Sequence, residues 1–282
     1  MSATAPAPAP PARPTRAGIA TRSSRWLSRN AVRIYAVLAF AYLFVPVVYT
    51  FAYSFNDSGK SNLNWRGFTT DKWAAPCAAP DVCPALVNSV KIGLVATAIA
   101  TVLGTMVAFA LARHRFRGRT ATNLTIFLPM ATPEIVLGAS LLALFLNMGV
   151  SLGTNTIVIA HVMFCISFVI VTVKARLASL DPRLEQAAMD LYADEMQTFR
   201  RITLPLVAPG IMAGALLAFS LSFDDFIITN FNSGDVNTFP KFIWVSSLRG
   251  IPAQANVIAS AMFFLALAAV VLGQLIVGRR KT

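Results

Sequence analysis

The chain has 282 residues and a mean hydropathy of +0.64; 56% of its residues are hydrophobic and only 13% charged. A soluble domain carries about 25% charged residues, so a water-soluble core cannot account for this much apolar side chain. The net charge of +12 would suit nucleic acid, but the basic residues lie between apolar runs and form no continuous basic face, which argues against that partner.

Residues 1–30 open with alternating alanine and proline, followed by Arg13, Arg16, Arg22, Arg25 and Arg29 without an acid. They read as a disordered basic tail. The first apolar run is too long for a cleaved signal peptide and is expected to remain as an anchor. Six runs are long enough to cross about 30 Å of hydrocarbon at about 1.5 Å per helical residue. They are Ala31–Phe55, Leu86–Ala112, Thr122–Met148, Thr154–Val173, Leu206–Ile228 and Gln254–Val277. The expectation is an all-α integral membrane protein, with a membrane-spanning body over residues 31–278 and a short tail at 279–282.

Placing the N-terminus inside puts 18 Lys and Arg residues on the inner side and 6 on the outer. The positive-inside rule then predicts both termini in the cytoplasm. Cys77 and Cys83 fall on the outer side, in the loop Pro76-Cys77-Ala78-Ala79-Pro80-Asp81-Val82-Cys83-Pro84. A short-loop disulfide is expected there, the alternative being two free thiols. No histidine is near, so a metal site is not expected. Cys165, inside an apolar run, reads as a small packed residue. The stretch Ser54-Phe55-Asn56-Asp57-Ser58-Gly59-Lys60-Ser61 nearly fits a P-loop. It lacks the first glycine and follows a membrane span rather than a strand, so it is rejected. His114 and His161 stand alone and read as a loop histidine and a packed histidine. With no nucleophile–base pattern and no cofactor motif, catalysis is not expected.

The connection between spans four and five, residues 174–205, is amphipathic and contains acids. Asp181-Pro182 is a helix start, with Asp as cap and Pro in the first turn. Leu184, Ala187, Ala188 and Leu191 then give a small apolar face. A break near Tyr192-Ala193 precedes a second start, with capping-box spacing from Asp194 to Gln197. Phe199 and Ile202 are the apolar positions of this second short helix, and Pro205 marks the entry to span five. Two short helices with a small-residue face suit a groove on a partner protein; the alternative is a helix lying on lipid.

Glu185-Gln186-Ala187-Ala188-Met189-Asp190-Leu191-Tyr192-Ala193, followed by Arg200-Arg201-Ile202-Thr203-Leu204-Pro205, resembles the EAA loop of ABC-importer permeases. That family pattern is Glu-Ala-Ala, three residues, Gly, nine residues, Ile-x-Leu-Pro. The resemblance implies six transmembrane helices, with a cytoplasmic two-helix coupling loop between helices four and five. It implies that Glu185, Ala187, Ala188, Leu191, Tyr192, Ala193, Arg200, Leu204 and Pro205 serve ATPase coupling. The implied partners are a second permease subunit, two cytoplasmic ATPase subunits and an extracytoplasmic substrate-binding protein. The implied setting is a bacterial cytoplasmic membrane. Tyr192 departs from the pattern, because a family glycine falls there and a tyrosine finds positive φ costly.

Ser54-Phe55-Asn56-Asp57, Trp65-Arg66-Gly67-Phe68-Thr69, Arg113-His114-Arg115-Phe116-Arg117-Gly118 and Ser220-Leu221-Ser222-Phe223-Asp224-Asp225 are similar in order and spacing to the PotC-type spermidine/putrescine permease family. Residues 31–278 are covered. Independently, Glu134, Asp224 and Asp225 fall within apolar runs, where an acid costs about 2.5–3.5 kcal/mol and so faces a cavity or a partner. Carboxylates along a path would stabilise the ammonium groups of a polycation. Glu134 has a second reading, as a first-turn acid where the helix restarts after Thr132-Pro133. Asp224 and Asp225 have one as water or headgroup contacts at the outer mouth. Tyr53, Phe223 and Phe231 are candidates for cation–π contact or ordinary packing. Iron, sugar or anion permeases share the loop, so another cation or a small solute such as iron or sugar is the alternative cargo. A membrane-embedded enzyme or a channel is the alternative of another class.

Overall fold

A computed structural model describes residues 17–59, 61–114 and 116–279. Its helices are α1 (Ala17–Tyr53), α2 (Asp71–Ala74), α3 (Val82–Arg113), α4 (Arg119–Ala131), α5 (Glu134–Asn147), α6 (Thr154–Ala178), α7 (Arg183–Asp190), α8 (Glu195–Thr198), α9 (Leu204–Asp224), α10 (Ile227–Asn232), α11 (Phe239–Arg249) and α12 (Ala253–Arg279), with a π-turn at Phe199–Thr203 between α8 and α9. Among the described residues there is no strand, only one bridge between Asn56 and Phe68.

Five stretches are single helices long and apolar enough to cross a membrane: Asn30–Tyr53, Val82–Arg113, Thr154–Ala178, Glu195–Asp224 and Ala253–Gly273. The sixth is broken. α4 and α5 meet at 105° across Thr132-Pro133, so the run Thr122–Met148 is two helices, the second restarting at Glu134. Pro133 has no N–H and forces Thr132 out of the helical region, to ψ 132°. Part of the expected basic tail is also helical. α1 starts at Ala17, because a long span removes the nucleation cost and alanine, leucine and arginine extend it readily. Residues 1–16 lie outside the described part.

The core is the triple packing of α3, α6 and α9. Small residues make it close. Ala96, Ala100, Gly104 and Ala108 form one buried stripe on α3, and Gly210, Gly214, Ala218 and Ser222 form another on α9. Between helices in lipid, such stripes let backbones approach and gain dispersion contact that bulky residues would block. A Cβ on Gly104 would lie 2.8 Å from Val169 Cγ1, and one on Gly210 only 2.5 Å from Arg176 Cβ. α1 lies apart from this core and packs along α12.

At one end of the bundle the 56–81 segment folds over the end of α1. Buried Asn56 is its hub: Nδ2 donates to Asn62 Oδ1 at 2.6 Å and to the Asn64 carbonyl at 2.8 Å, while Oδ1 accepts from Arg66 N at 2.8 Å. Asn56, within the stretch resembling a P-loop, is thus the hub of a structural corner. Cys77 and Cys83 are joined in a disulfide at the start of α3, and Cys165 is a free, buried thiol. α10 and α11 occupy a region expected only as a loop. α11 is held to α3 where Ser89 Oγ accepts from Phe239 N at 2.8 Å.

Candidate functional site

Two places carry the polar chemistry, one at each discontinuity of the fold. The first is the loop from α7 to α9. Asp181 Oδ1 accepts from Arg183 N at 2.9 Å and Asp194 Oδ1 from Gln197 N at 2.7 Å, so both expected caps form. The second short helix is not separate, however. α8 passes through the π-turn straight into α9. Leu204 N donates to the Phe199 carbonyl, one residue further back than in an α-helix, next to Pro205, which has no N–H to give.

α7 ends in a Schellman cap. Tyr192 N donates to the Met189 carbonyl at 2.9 Å and Ala193 N to the Ala188 carbonyl at 3.1 Å. The cap needs a left-handed residue, and Tyr192 supplies it at φ 63° despite its side chain. The geometry expected of a glycine is therefore kept by a tyrosine. Its ring is 98% exposed, beside Leu191 at 81%.

Glu185 points the other way. Its carboxylate takes a two-pronged ion pair from Arg113, the last residue of α3, and accepts from Thr203 Oγ1 at 2.6 Å. The Arg113 bonds hold the Glu185 carboxyl below the usual glutamate range, against the opposing effect of its partial burial. Ala187, Leu191, Tyr192, Arg200, Leu204 and Pro205 are exposed, and Ala188 and Ala193 half-buried. Of the residues assigned to coupling, then, Glu185 is engaged inside its own chain while an apolar edge is left free.

The second place lies where α9 gives way to α10 and α4 to α5. Asp225 Oδ2 accepts from Thr229 N at 2.7 Å and Thr229 Oγ1 at 2.9 Å, and Oδ1 from Ile228 N at 3.3 Å. Asp225 therefore caps α10. His161 on α6 completes the cluster, with Nε2 3.2 Å from Asp225 Oδ2 and Nδ1 2.7 Å from Ser222 Oγ. All of these side chains are buried. Asp224, the last residue of α9, is exposed, whereas Asp225 leaves the helix with extended backbone (ψ 124°) and turns inward. Glu134, also exposed, starts α5 and has Asp224 and Asp225 as its acidic neighbours. α5 closes on α10 because Gly138 lies against it: a Cβ there would sit 2.9 Å from Phe231 Cδ2.

Among the described residues neither Glu134 nor Asp224 makes an ion pair. His161, read from sequence as ordinary packing, is the residue missed. The available signal was Asp225 itself, since a buried acid in an apolar helix requires a donor on a neighbouring helix. The rings singled out from sequence are packed: Phe223 stacks on Phe219 at 5.8 Å and Tyr53 on Tyr49 at 4.1 Å. Among the described residues no group of histidine, cysteine and acid side chains could hold a metal.

Broken spans around an acidic point, a small-residue helix core and an amphipathic loop between spans define a multi-pass transport subunit. The chain belongs to the family of binding-protein-dependent transport system inner membrane components, whose model matches residues 100–281. It is 38% identical over 254 residues to the spermidine/putrescine transport system permease protein PotC of Haemophilus influenzae, covering 90% of this chain and 97% of that protein. The putrescine transport system permease protein PotI of Escherichia coli K12 is 37% identical over 233 residues, covering 79% and 82%. Among solved structures, a bacterial ABC transporter for import of the acidic polysaccharide alginate matches at TM-score 0.60 and 16% identity, over 93% of this chain and 98% of that one. The methionine ABC transporter MetNI matches at TM-score 0.58 and 17% identity, over 70% and 95%. The fold is that of ABC-importer membrane subunits. The protein is a permease component of a binding-protein-dependent transport system.

Proposed function

We propose that this subunit imports polyamines such as spermidine and putrescine, with Asp224 and Glu134 on the path. Nearly full-length similarity to two polyamine permeases carries the substrate class. The exposed, unpaired carboxylates at two helix breaks support the site, because half-helix ends inside a membrane mark substrate positions in other transporters. Flexible cations with several ammonium groups lose hydration in such a path, and fixed carboxylates replace it. Asp225 is assigned to holding α10 in place rather than to meeting cargo.

In this reading both termini and the α7–α9 loop are cytoplasmic, in keeping with the positive-inside count. A second permease subunit encloses the other half of the path. One ATPase docks on the exposed edge from Ala187 to Tyr192 and a second on the matching loop of the other permease subunit, and a substrate-binding protein delivers cargo to the side bearing the disulfide. Uptake of labelled spermidine and putrescine by the assembled importer in proteoliposomes tests the proposal. Concentrative, ATP-dependent uptake of either is expected. A complex that hydrolyses ATP and moves neither polyamine, but moves another cation, iron or a sugar, overturns the substrate class.

A further inference from the structure

We infer that Arg113 is a positioning residue, a strut that ties the coupling loop to the helix core through Glu185 and makes loop and core move together. The inference rests on the reading that this loop receives the ATPase. α7 has no buried residue, and it packs mainly against α8 and the π-turn, both parts of the same loop. Two cavities of about 370 and 360 Å³ lie on either side of Glu185, both lined by Arg113 and Glu185. Apolar packing reaches the π-turn, where Phe199 meets Phe109 of α3 at 5.3 Å, but none of it involves α7 itself. What ties α7 to α3 is the two-pronged Arg113–Glu185 pair, with Thr203 Oγ1 donating to the same carboxylate.

The three residues come from three mechanically distinct parts. Arg113 ends α3, Glu185 lies in the first turn of α7, and Thr203 is the last residue of the π-turn before α9. α3 and α9 are also the helices that meet α6 through small-residue stripes, so a displacement delivered to either end is passed to a close-packed body. A guanidinium–carboxylate fork resists rotation as well as separation, which a single contact does not. Glu185 thus serves coupling through its bonds within the chain. Its acid fixes the angle of α7, and the exposed edge that ends in Leu191 and Tyr192 is what the partner would meet.

The test uses the complete importer in proteoliposomes and three readouts: ATPase co-purification, ATP hydrolysis, and labelled spermidine taken up per ATP hydrolysed. For Arg113→Ala, the ATPase remains bound and hydrolysis continues. Uptake per ATP falls roughly 2- to 30-fold, the range by which residues along such contacts change coupling between sites. The charge swap Arg113→Glu with Glu185→Arg restores at least half of that loss, because Thr203 Oγ1 can accept from an arginine as readily as donate to a glutamate. The inference is overturned by wild-type uptake per ATP in Arg113→Ala, by loss of the ATPase from that variant, which would make Arg113 a docking residue, or by a swap that restores nothing. If the wild-type chain fails to co-purify with an ATPase, the docking reading beneath it falls first, and the strut falls with it.

Discussion

Asp224 and Asp225 are adjacent acids of the same charge, yet their amide variants are expected to fail in different ways. Asp225 Oδ2 receives Thr229 N, Thr229 Oγ1 and His161 Nε2, while Oδ1 receives Ile228 N. A bond to a charged acceptor contributes about 1.5–3 kcal/mol and one to a neutral acceptor about 1 kcal/mol. In Asp225→Asn one oxygen remains, so the new NH2 must face either the Ile228 or the Thr229 N–H, donor against donor. Losing the buried charge recovers part of the desolvation cost, but the donor clash cannot be relieved without moving α10. A net loss of about 2–3 kcal/mol follows, or about 4–12 °C in unfolding temperature at about 2–4 °C per kcal/mol for chains of this size. Asp224→Asn, exposed and without an ion pair, should shift stability by less than about 0.5 kcal/mol while lowering polyamine uptake. Thermal unfolding of the detergent-purified importer, alongside proteoliposome uptake, reads both effects. An Asp225→Asn protein as heat-stable as wild type would refute the reasoning, as would full uptake by Asp224→Asn.

Tyr192→Gly should relieve about 1 kcal/mol of left-handed strain, seen as roughly fivefold slower hydrogen exchange at Ala193 N, the amide that closes the cap; unchanged exchange would count against strain at this position. Gly210→Ala places a Cβ 2.5 Å from Arg176 Cβ and is expected to cost about 1–3 kcal/mol as overpacking. Gly273→Ala, with open space around it, serves as the silent control in the same thermal assay. The Glu185 carboxyl is held below its usual range, so the pair with Arg113 contributes fully above the ordinary glutamate pKa of about 4.3. That contribution is lost only as pH falls through the lower folded value. Proteolysis of the loop between Asp181 and Asp194 should therefore be constant from neutral pH down to about 5, and rise only in stronger acid. A rise near neutrality would mean that the pair is not formed.

Much of this protein was legible in the residue order, because a membrane makes unusually simple demands. Every backbone polar group in hydrocarbon must be satisfied locally. Apolar length therefore located the spans, and helix caps at Asp181 and Asp194 located the loop between the fourth and fifth of them. The left-handed turn at Tyr192 was not readable, since a tyrosine finds positive φ costly and only the cap formed by Tyr192 N and Ala193 N shows that the position keeps it. Other features could not be read, because they depend on which helix lies beside which. Asp225 and His161 are 64 residues apart, and nothing local to either indicates that they meet. Glu185 was read with its neighbours as part of a surface for a partner. Only the close approach of α3, fixed by the stripe from Ala96 to Ala108, brings Arg113 to it. Sequence set the spans, the caps and the charge pattern through local hydrogen bonding and hydrophobicity. Tertiary packing decided which of two adjacent aspartates is buried and which is exposed, and which acid of the loop is turned inward, because those outcomes depend on the rotation of one helix against another.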